Sequence, residues 1–339
     1  MKKINAVLFG VGAMGKLMAR YLVEKDVNIL GVFSRRSHIG EDIGVVAGLD
    51  NPIAVPISSS AHDVLANKDI DIAVIATSSD MQSFYPLAES CAKHKVNVIT
   101  ISEQAFFPEP FVPDLAIKLD KLARENGISI AATGVQDIFW LNLPSILSGA
   151  CQSIKSVLGT ALVNLDMYGP AVVSRYPLDL SKEEYGTNDQ SAETDEALPV
   201  FGIALEALVS NLDMVVTSRN VKHEPLYDTV DIESQSLDRI VKAGRTCGVL
   251  EIYEIETQQG ISFRVEFIEK LCRKDEYEKI SWDIKGVPDL NIVMENFPGE
   301  EITCATTVNR IPDVINAEAG YINTADLSRI SYRASPLTL

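Results

Sequence analysis

A glycine turn set between a strand and a helix at the start of the chain restricts its fold more than any other feature. Gly10-Val11-Gly12-Ala13-Met14-Gly15 directly follows the apolar run 4–9 and directly precedes the amphipathic run 16–22. Each glycine in this spacing has a mechanical reason. One allows the tight turn, one lets a pyrophosphate approach the backbone, and one lets the helix pack closely on the strand. The helix N-terminus then offers free N–H groups and a positive dipole end to phosphates. A tight turn without a ligand is the alternative. The surrounding pattern favours the dinucleotide.

That pattern is an alternation. Val-, Ile- and Ala-rich runs at 4–9, 27–33, 70–76, 96–101 and 128–132 are separated by helix-length stretches such as 13–24, 80–94 and 112–126. Alternating strands and helices predict a parallel sheet covered on both faces, an N-terminal α/β domain of the Rossmann dinucleotide-binding kind. Glu125-Asn126-Gly127 reads as a helix stop before the fifth strand. Past a helical stretch at about 138–150 the pattern changes. Strand-like segments at 153–168, 214–235, 247–257, 260–272 and 277–284, with a helix near 192–211, predict a second α+β domain on a mainly antiparallel sheet. The expected division is 1–135 for cofactor, 136–305 for substrate and oligomerisation, and 306–339 as a C-terminal segment packing back on the first domain.

Composition narrows the partners. A formal net charge of −17 repels phosphate backbones, so nucleic acid is not expected. No apolar run reaches membrane-spanning length and the N-terminus lacks the pattern of a secretory signal, which predicts a cytoplasmic protein without a membrane partner. The five cysteines are far apart and form no Cys-x-x-Cys pair, and the four histidines show no metal spacing. Reduced thiols and no metal are the expectation.

The end of the second strand chooses the adenosine ribose partner. Where an acidic residue commonly binds a 2′-hydroxyl, this chain has Ser34-Arg35-Arg36. Ser34 is a donor for a 2′-phosphate, and Arg35 pairs with it or stacks on adenine, which predicts NADP at least accepted beside NAD. A solvated arginine pair is the alternative. Ala76-Thr77-Ser78-Ser79 ends the next long strand at the edge where open α/β sheets bind ligands, so Thr77 and Ser78 are assigned to the pyrophosphate or nicotinamide ribose, with Ser78 or Ser79 capping the following helix as the alternative.

Glu103 occupies the same edge one strand further, followed by Phe106 and Phe107. An apolar wall raises a carboxyl pKa and makes the group a usable base near neutral pH. The alternative is a Glu that caps or solvates its loop. The segments ISEQAFFP at 101–108 and ATGVQDIFWLNLP at 132–144 resemble the 2,4-diaminopentanoate dehydrogenase family and, more distantly, native amine dehydrogenases. NLDMYGP at 164–170 and VNRIPDVINAEAG at 308–320 extend the resemblance into the rest of the chain. It implies a second domain like that of dihydrodipicolinate reductase. It also implies NAD(P)-dependent oxidative deamination of the 4-amino group of a diamino acid, with ammonia as product. On it, Glu103 handles the amine, and Trp140, Tyr168 and Asn142 contact the substrate. Gln136 and Asp137 then become candidates for the substrate's 2-amino group or the nicotinamide amide, although Asp137 serves equally well as a helix cap. Arg175, Arg245 and Arg264 are unranked candidates for the substrate carboxylate.

Three other readings compete. Dihydrodipicolinate reductase itself is disfavoured because the chain lacks a His-His-x-x-Lys signature. A sugar dehydrogenase of similar type carries an EKP-like lysine where this chain has Glu103-Gln104-Ala105. A protein that senses NADPH without turnover differs from an enzyme in forming no NAD(P)H from amine. A homodimer is expected by analogy of fold.

Overall fold

The β-branched runs of the first third are too short for helices and too apolar for a solvated surface, and each becomes a buried strand. The structure, a computed structural model, describes residues 2–66, 69–187 and 199–338. Its first sheet contains β1 (Asn5–Phe9), β2 (Asn28–Phe33), β3 (Ile57–Ser58), β4 (Ile72–Ile75), β5 (Asn97–Thr100), β6 (Ser129–Ala132) and, from the C-terminal part, β15 (Gly320–Ile322). All pair in parallel, in the order β15-β6-β5-β4-β1-β2-β3. The chain runs outward from β1 to β3 and then restarts with β4 on the other side of β1, so a crevice opens at the carboxyl ends of β1 and β4. The helices Ala13–Glu24, Met81–Lys93 and Pro113–Asn126 connect the strands, and Gly127, at φ +67°, ends the last of them in the left-handed conformation that the sequence predicts. Ile4, Leu8, Met18, Leu22, Val74 and Ile99 centre its core.

The second sheet is built from β7 (Ser153–Asn164), β8 (Val216–Tyr227), β11 (Thr246–Thr257), β12 (Ser262–Lys270), β13 (Lys279–Val287) and β14 (Leu290–Glu295), in the order β14-β13-β7-β12-β11-β8. Only the β7–β12 pair is parallel, so the sheet is mixed but mainly antiparallel. A separate hairpin pairs β9 (Ile232–Ser234) with β10 (Arg239–Val241). Two expected strands are shorter than their apolar patterns suggest. The segment 153–168 ends in the 3-10 turn Leu165–Tyr168, and 214–235 breaks where the Asp228 carboxylate accepts from the Val230 N–H. Of the helix expected near 192–211, the described part is Val200–Asn211, and 192–198 lies outside the described residues. Gly202 lets this helix press on the sheet, since a Cβ there would lie 2.6 Å from the Tyr253 ring.

The chain divides into two compact units, Met1–Asn142 with Gly299–Leu339, and Leu143–Pro298. The expected division at 135/136 falls at the start of the π-helix Gln136–Asn142, and that at 305/306 inside the helix Gly299–Ile315, both within the first unit. Among the described residues no helix is long and apolar enough to cross a membrane.

Candidate active site

The glycine turn carries out three separate mechanical tasks. Gly10 sits at φ +108° with its N–H donated to the Phe33 carbonyl, and a Cβ on it would lie 2.2 Å from the Ala76 carbonyl oxygen. A Cβ on Gly15 would lie 2.1 Å from the Gly10 oxygen, so helix and turn are in van der Waals contact. Gly12 differs: nothing lies within 4 Å of its Cβ direction. It is also the N-cap of the helix Ala13–Glu24, which has no side-chain cap and no acidic residue in its first turn. The first N–H groups of the helix therefore have no side-chain cap, and the open space beside Gly12 leaves room for a pyrophosphate. Val11 is buried and anchors the turn from below. These residues fit a dinucleotide.

At the adenosine end, Ser34 also makes a contact within its own loop. Its side chain is buried, and its Oγ accepts from the Ser37 N–H at 3.2 Å and lies 3.2 Å from the Ser37 hydroxyl. Arg35 and Arg36 are exposed and have no carboxylate partner among the described residues. The cationic character of this loop therefore rests on the two arginines, while Ser34 holds the loop's shape.

At the carboxyl ends of β4 and β5, two loops are tied to each other. Thr100 donates to the Ile75 carbonyl at 3.0 Å, the Ser102 hydroxyl and the Gln104 N–H both donate to the Ser79 carbonyl at 2.9 Å, and the Gln104 Oε1 accepts from the Met81 N–H at 2.8 Å. Neither Ser78 nor Ser79 caps the next helix, because Asp80 does so at 2.7 Å from the Ser83 N–H. The Ser78 Oγ is buried and has no hydrogen-bond partner among the described residues. Glu103 is fixed between these ties. Burial pushes its carboxyl above the ordinary value, and the Ser79 hydroxyl and its own N–H pull it only part of the way back. Ala105 and Phe106 beyond it are buried, and Phe107 is half-buried. Sequence reasoning missed the part of Gln104 and the tie between Ser79 and the Glu103 loop, since both depend on two loops meeting.

Asp137 is corrected. It is fully buried, and its carboxylate accepts from Arg310 Nε at 2.7 Å and Nη2 at 3.0 Å, from the Thr133 hydroxyl at 2.9 Å and from Asn142 Nδ2 at 2.7 Å. Four donors fill the four lone-pair positions of a carboxylate, which leaves none for a substrate amine. The amide nitrogen of Asn142 also donates to the Asp137 carbonyl at 3.0 Å, which commits that nitrogen to the π-helix that contains it. Gln136 and Trp140, in the same element, are buried. In the second unit Tyr168 is 45 % exposed at the end of its 3-10 turn. Arg245 is paired with Asp179 and Glu184, and Arg264 with Glu254 and Glu266. Arg175 is exposed and has no carboxylate partner among the described residues.

A Rossmann sheet with an uncapped, unobstructed glycine turn and a desolvated carboxylate two loops away places the chain among the NAD(P)-dependent dehydrogenases. Comparison with known proteins narrows that class. Residues 141–333 match the 2,4-diaminopentanoate dehydrogenase C-terminal domain, and residues 4–102 match the dihydrodipicolinate reductase N-terminus. The first match spans more than half of the chain, which therefore belongs to the 2,4-diaminopentanoate dehydrogenase family. The 2,4-diaminopentanoate dehydrogenase of Acetoanaerobium sticklandii is 27% identical over 343 residues, covering 96% of this chain and 94% of its own. The structure of an amine dehydrogenase from Mycobacterium smegmatis superimposes with a TM-score of 0.87 at 33% identity over 98% of both chains. A Synechocystis biliverdin reductase, at 10% identity, 95% and 93% coverage and a TM-score of 0.55, shares the fold alone.

Proposed function

We propose that the protein catalyses oxidative deamination of 2,4-diaminopentanoate at its 4-amino group, giving 2-amino-4-oxopentanoate, ammonia and NAD(P)H, and the reverse reductive amination. The observation that carries this reading is Glu103, a desolvated carboxylate at the carboxyl edge of the cofactor sheet. Hydride does not leave a carbon bearing an ammonium group readily, because a second positive charge would build beside the first. Glu103 takes the proton that makes the amine neutral and releases it to solvent, so that its regained negative charge stabilises the iminium left on the substrate. A bound nicotinamide ring accepts the hydride. Glu103 next receives a proton from the water that adds to the iminium carbon, and ammonia leaves from the resulting carbinolamine. Sugar dehydrogenases place a cationic lysine in this position, and an anion there suits a cationic substrate better.

Trp140, Tyr168 and Gln136 are proposed to contact the substrate, on the strength of the family relationship. Arg175 is the proposed partner of its carboxylate, supported by the pairing of Arg245 and Arg264 elsewhere. We assign the enzyme to the cytoplasm, in keeping with five free cysteines. A homodimer is proposed from analogy of fold, and a monomeric mass by sedimentation would overturn it.

An NAD(P)+ reduction screen at alkaline pH tests the substrate. We expect kcat/KM for 2,4-diaminopentanoate to exceed that for 2-aminopentane by roughly tenfold or more, since the diamino acid brings two further charged contacts. Equal rates would favour a second reading, a broader amine dehydrogenase, which the likeness to the Mycobacterium smegmatis enzyme supports. No NAD(P)H from any amine would remove both. For the cofactor, we expect NADP+ to be accepted at least as well as NAD+. Arg35→Ala should weaken NADP+ by roughly tenfold more than NAD+, the scale of one charge-assisted contact. Equal loss for both cofactors would remove the 2′-phosphate assignment.

A further inference from the structure

Glu103 is held by one neighbouring residue through both its backbone and its side chain. β4 and β5 pair in parallel, so the loops leaving their carboxyl ends lie side by side. The two residues that flank Glu103 donate to a single oxygen of the β4 loop, since the Ser102 hydroxyl and the Gln104 N–H each lie 2.9 Å from the Ser79 carbonyl. Bonds within the Glu103 loop stiffen it further. The Ser102 N–H donates to the Thr100 hydroxyl at 3.1 Å, the Ala105 N–H to the Ser102 carbonyl at 3.1 Å and the Phe106 N–H to the Glu103 carbonyl at 3.0 Å. The backbone of Glu103 is thereby fixed against Ser79, and the Ser79 hydroxyl adds a hydrogen bond to the Glu103 carboxylate.

This hydroxyl is the one donor to that carboxylate, among the described residues, that another residue supplies; the second donor is the N–H of Glu103 itself. Burial and these two bonds set the state of the carboxyl, and no charged side chain among the described residues adds to them. The acidic groups on adjoining elements are engaged or remote: Asp80 caps its helix through the Ser83 N–H, Asp137 beyond β6 is paired with Arg310, and Glu109 further along the loop is exposed. Without a donor, a desolvated carboxyl keeps its proton and is no base; a hydroxyl bonded to it favours the charged form. The same bond restricts rotation of the carboxylate. Two donors also leave acceptor positions open for an amine, whereas the four donors of Asp137 leave none.

We propose that Ser79 is a positioning residue for the reaction, its hydroxyl aiming the Glu103 carboxylate and steadying the negative charge on which proton transfer from the amine depends. The inference rests on the reading of Glu103 as the base, and deepens it by naming what keeps a desolvated carboxylate ready to accept. Ser79 acts through Glu103 and handles neither the reacting proton nor the hydride. Because Ser79 is exposed, alanine in its place removes no core packing, and because both loop ties end on its backbone carbonyl, alanine retains them. The substitution therefore isolates the hydroxyl.

The test compares wild type with Ser79→Ala and Ser79→Thr, using Glu103→Gln as the reference that lacks the carboxyl. The first measurement needs no turnover. Infrared difference spectra of the full chain follow, against pH, the protonated-carboxyl band that wild type shows and Glu103→Gln lacks. Its midpoint should rise by about one pH unit in Ser79→Ala, the scale of one hydrogen bond to a charged group, and return close to the wild-type position in Ser79→Thr, which restores a hydroxyl. The second measurement is the pH profile of kcat/KM, with whichever of 2,4-diaminopentanoate and 2-aminopentane wild type oxidises. The acid limb should move upward by the same interval in Ser79→Ala, so that the rate is roughly tenfold lower on that limb and the loss shrinks toward alkaline pH. An unmoved infrared midpoint would overturn the inference. So would a midpoint that moves without the limb, a loss equal at every pH, or a threonine variant that behaves as alanine does. Failure of wild type to oxidise any amine, or a Glu103→Gln variant that keeps the wild-type rate, is the separate failure of the proposed function, and the infrared midpoint still decides whether Ser79 holds the charge.

Discussion

Glu103→Gln lowers the rate of hydride transfer by roughly 10²–10⁴-fold, the usual scale for losing a positioned base, while cofactor affinity stays within about twofold. Glutamine preserves size and hydrogen-bonding shape, but it takes no proton and does not balance the iminium charge. The pH dependence separates this from a loss of packing. Burial places the carboxyl above its ordinary 4.5, so wild-type kcat/KM falls as pH drops through that raised value, and the variant lacks this limb. Stability moves the other way. Because the folded-state value is raised, the native state keeps a proton that the unfolded state has already lost, and wild-type stability declines as pH rises through the interval above 4.5. At neutral and alkaline pH the glutamine variant is therefore expected to melt higher than wild type, with the difference vanishing in acid. A folded variant that keeps most of the wild-type rate would return Glu103 to a structural role. A variant that melts no higher at neutral pH would contradict the desolvation argument.

Arg310→Met is expected to destabilise the protein by about 3–5 kcal/mol, the cost of leaving a buried charge without its partner. Arg310 and Asp137 are both fully buried, and the pair is bidentate. Arg310 also donates to the Ser328 carbonyl, so its removal releases a second segment. Removing both charges, with Asp137→Leu added, should recover part of the loss, since an apolar pair of similar volume avoids the uncompensated carboxylate. Denaturant unfolding measures both. A loss under about 1 kcal/mol for Arg310→Met would mean that the pair contributes little, as surface pairs do.

The sequence made the first unit's strands and its glycine turn legible because both follow local rules: period, turn chemistry and helix ends. Glu103 was legible for a related reason, since an acidic residue directly after a β-branched run is a local anomaly. Asp137 and Arg310 were not. They are 173 positions apart, and each taken alone reads as a residue for solvent or for a ligand. The two-residue β3 and three-residue β15 are too short to display a period, and neighbouring strands define them. The contact of Ser34 with Ser37 was not legible either, since it is made by the loop's own turn.

The discontinuous first unit constrains the order in which the protein can be completed. During synthesis the residues through Asn142 emerge first and hold six of the seven strands of the cofactor sheet, but the helix Gly299–Ile315 and β15 belong to the same body and emerge last. Until then Asp137 has no guanidinium, Val135 lacks the Thr303 hydroxyl that accepts its N–H, and β6 forms an open sheet edge. A nascent chain therefore exposes an unfinished sheet while the whole second unit is being made. Such an edge is the kind of surface that chaperones cover and that aggregation exploits.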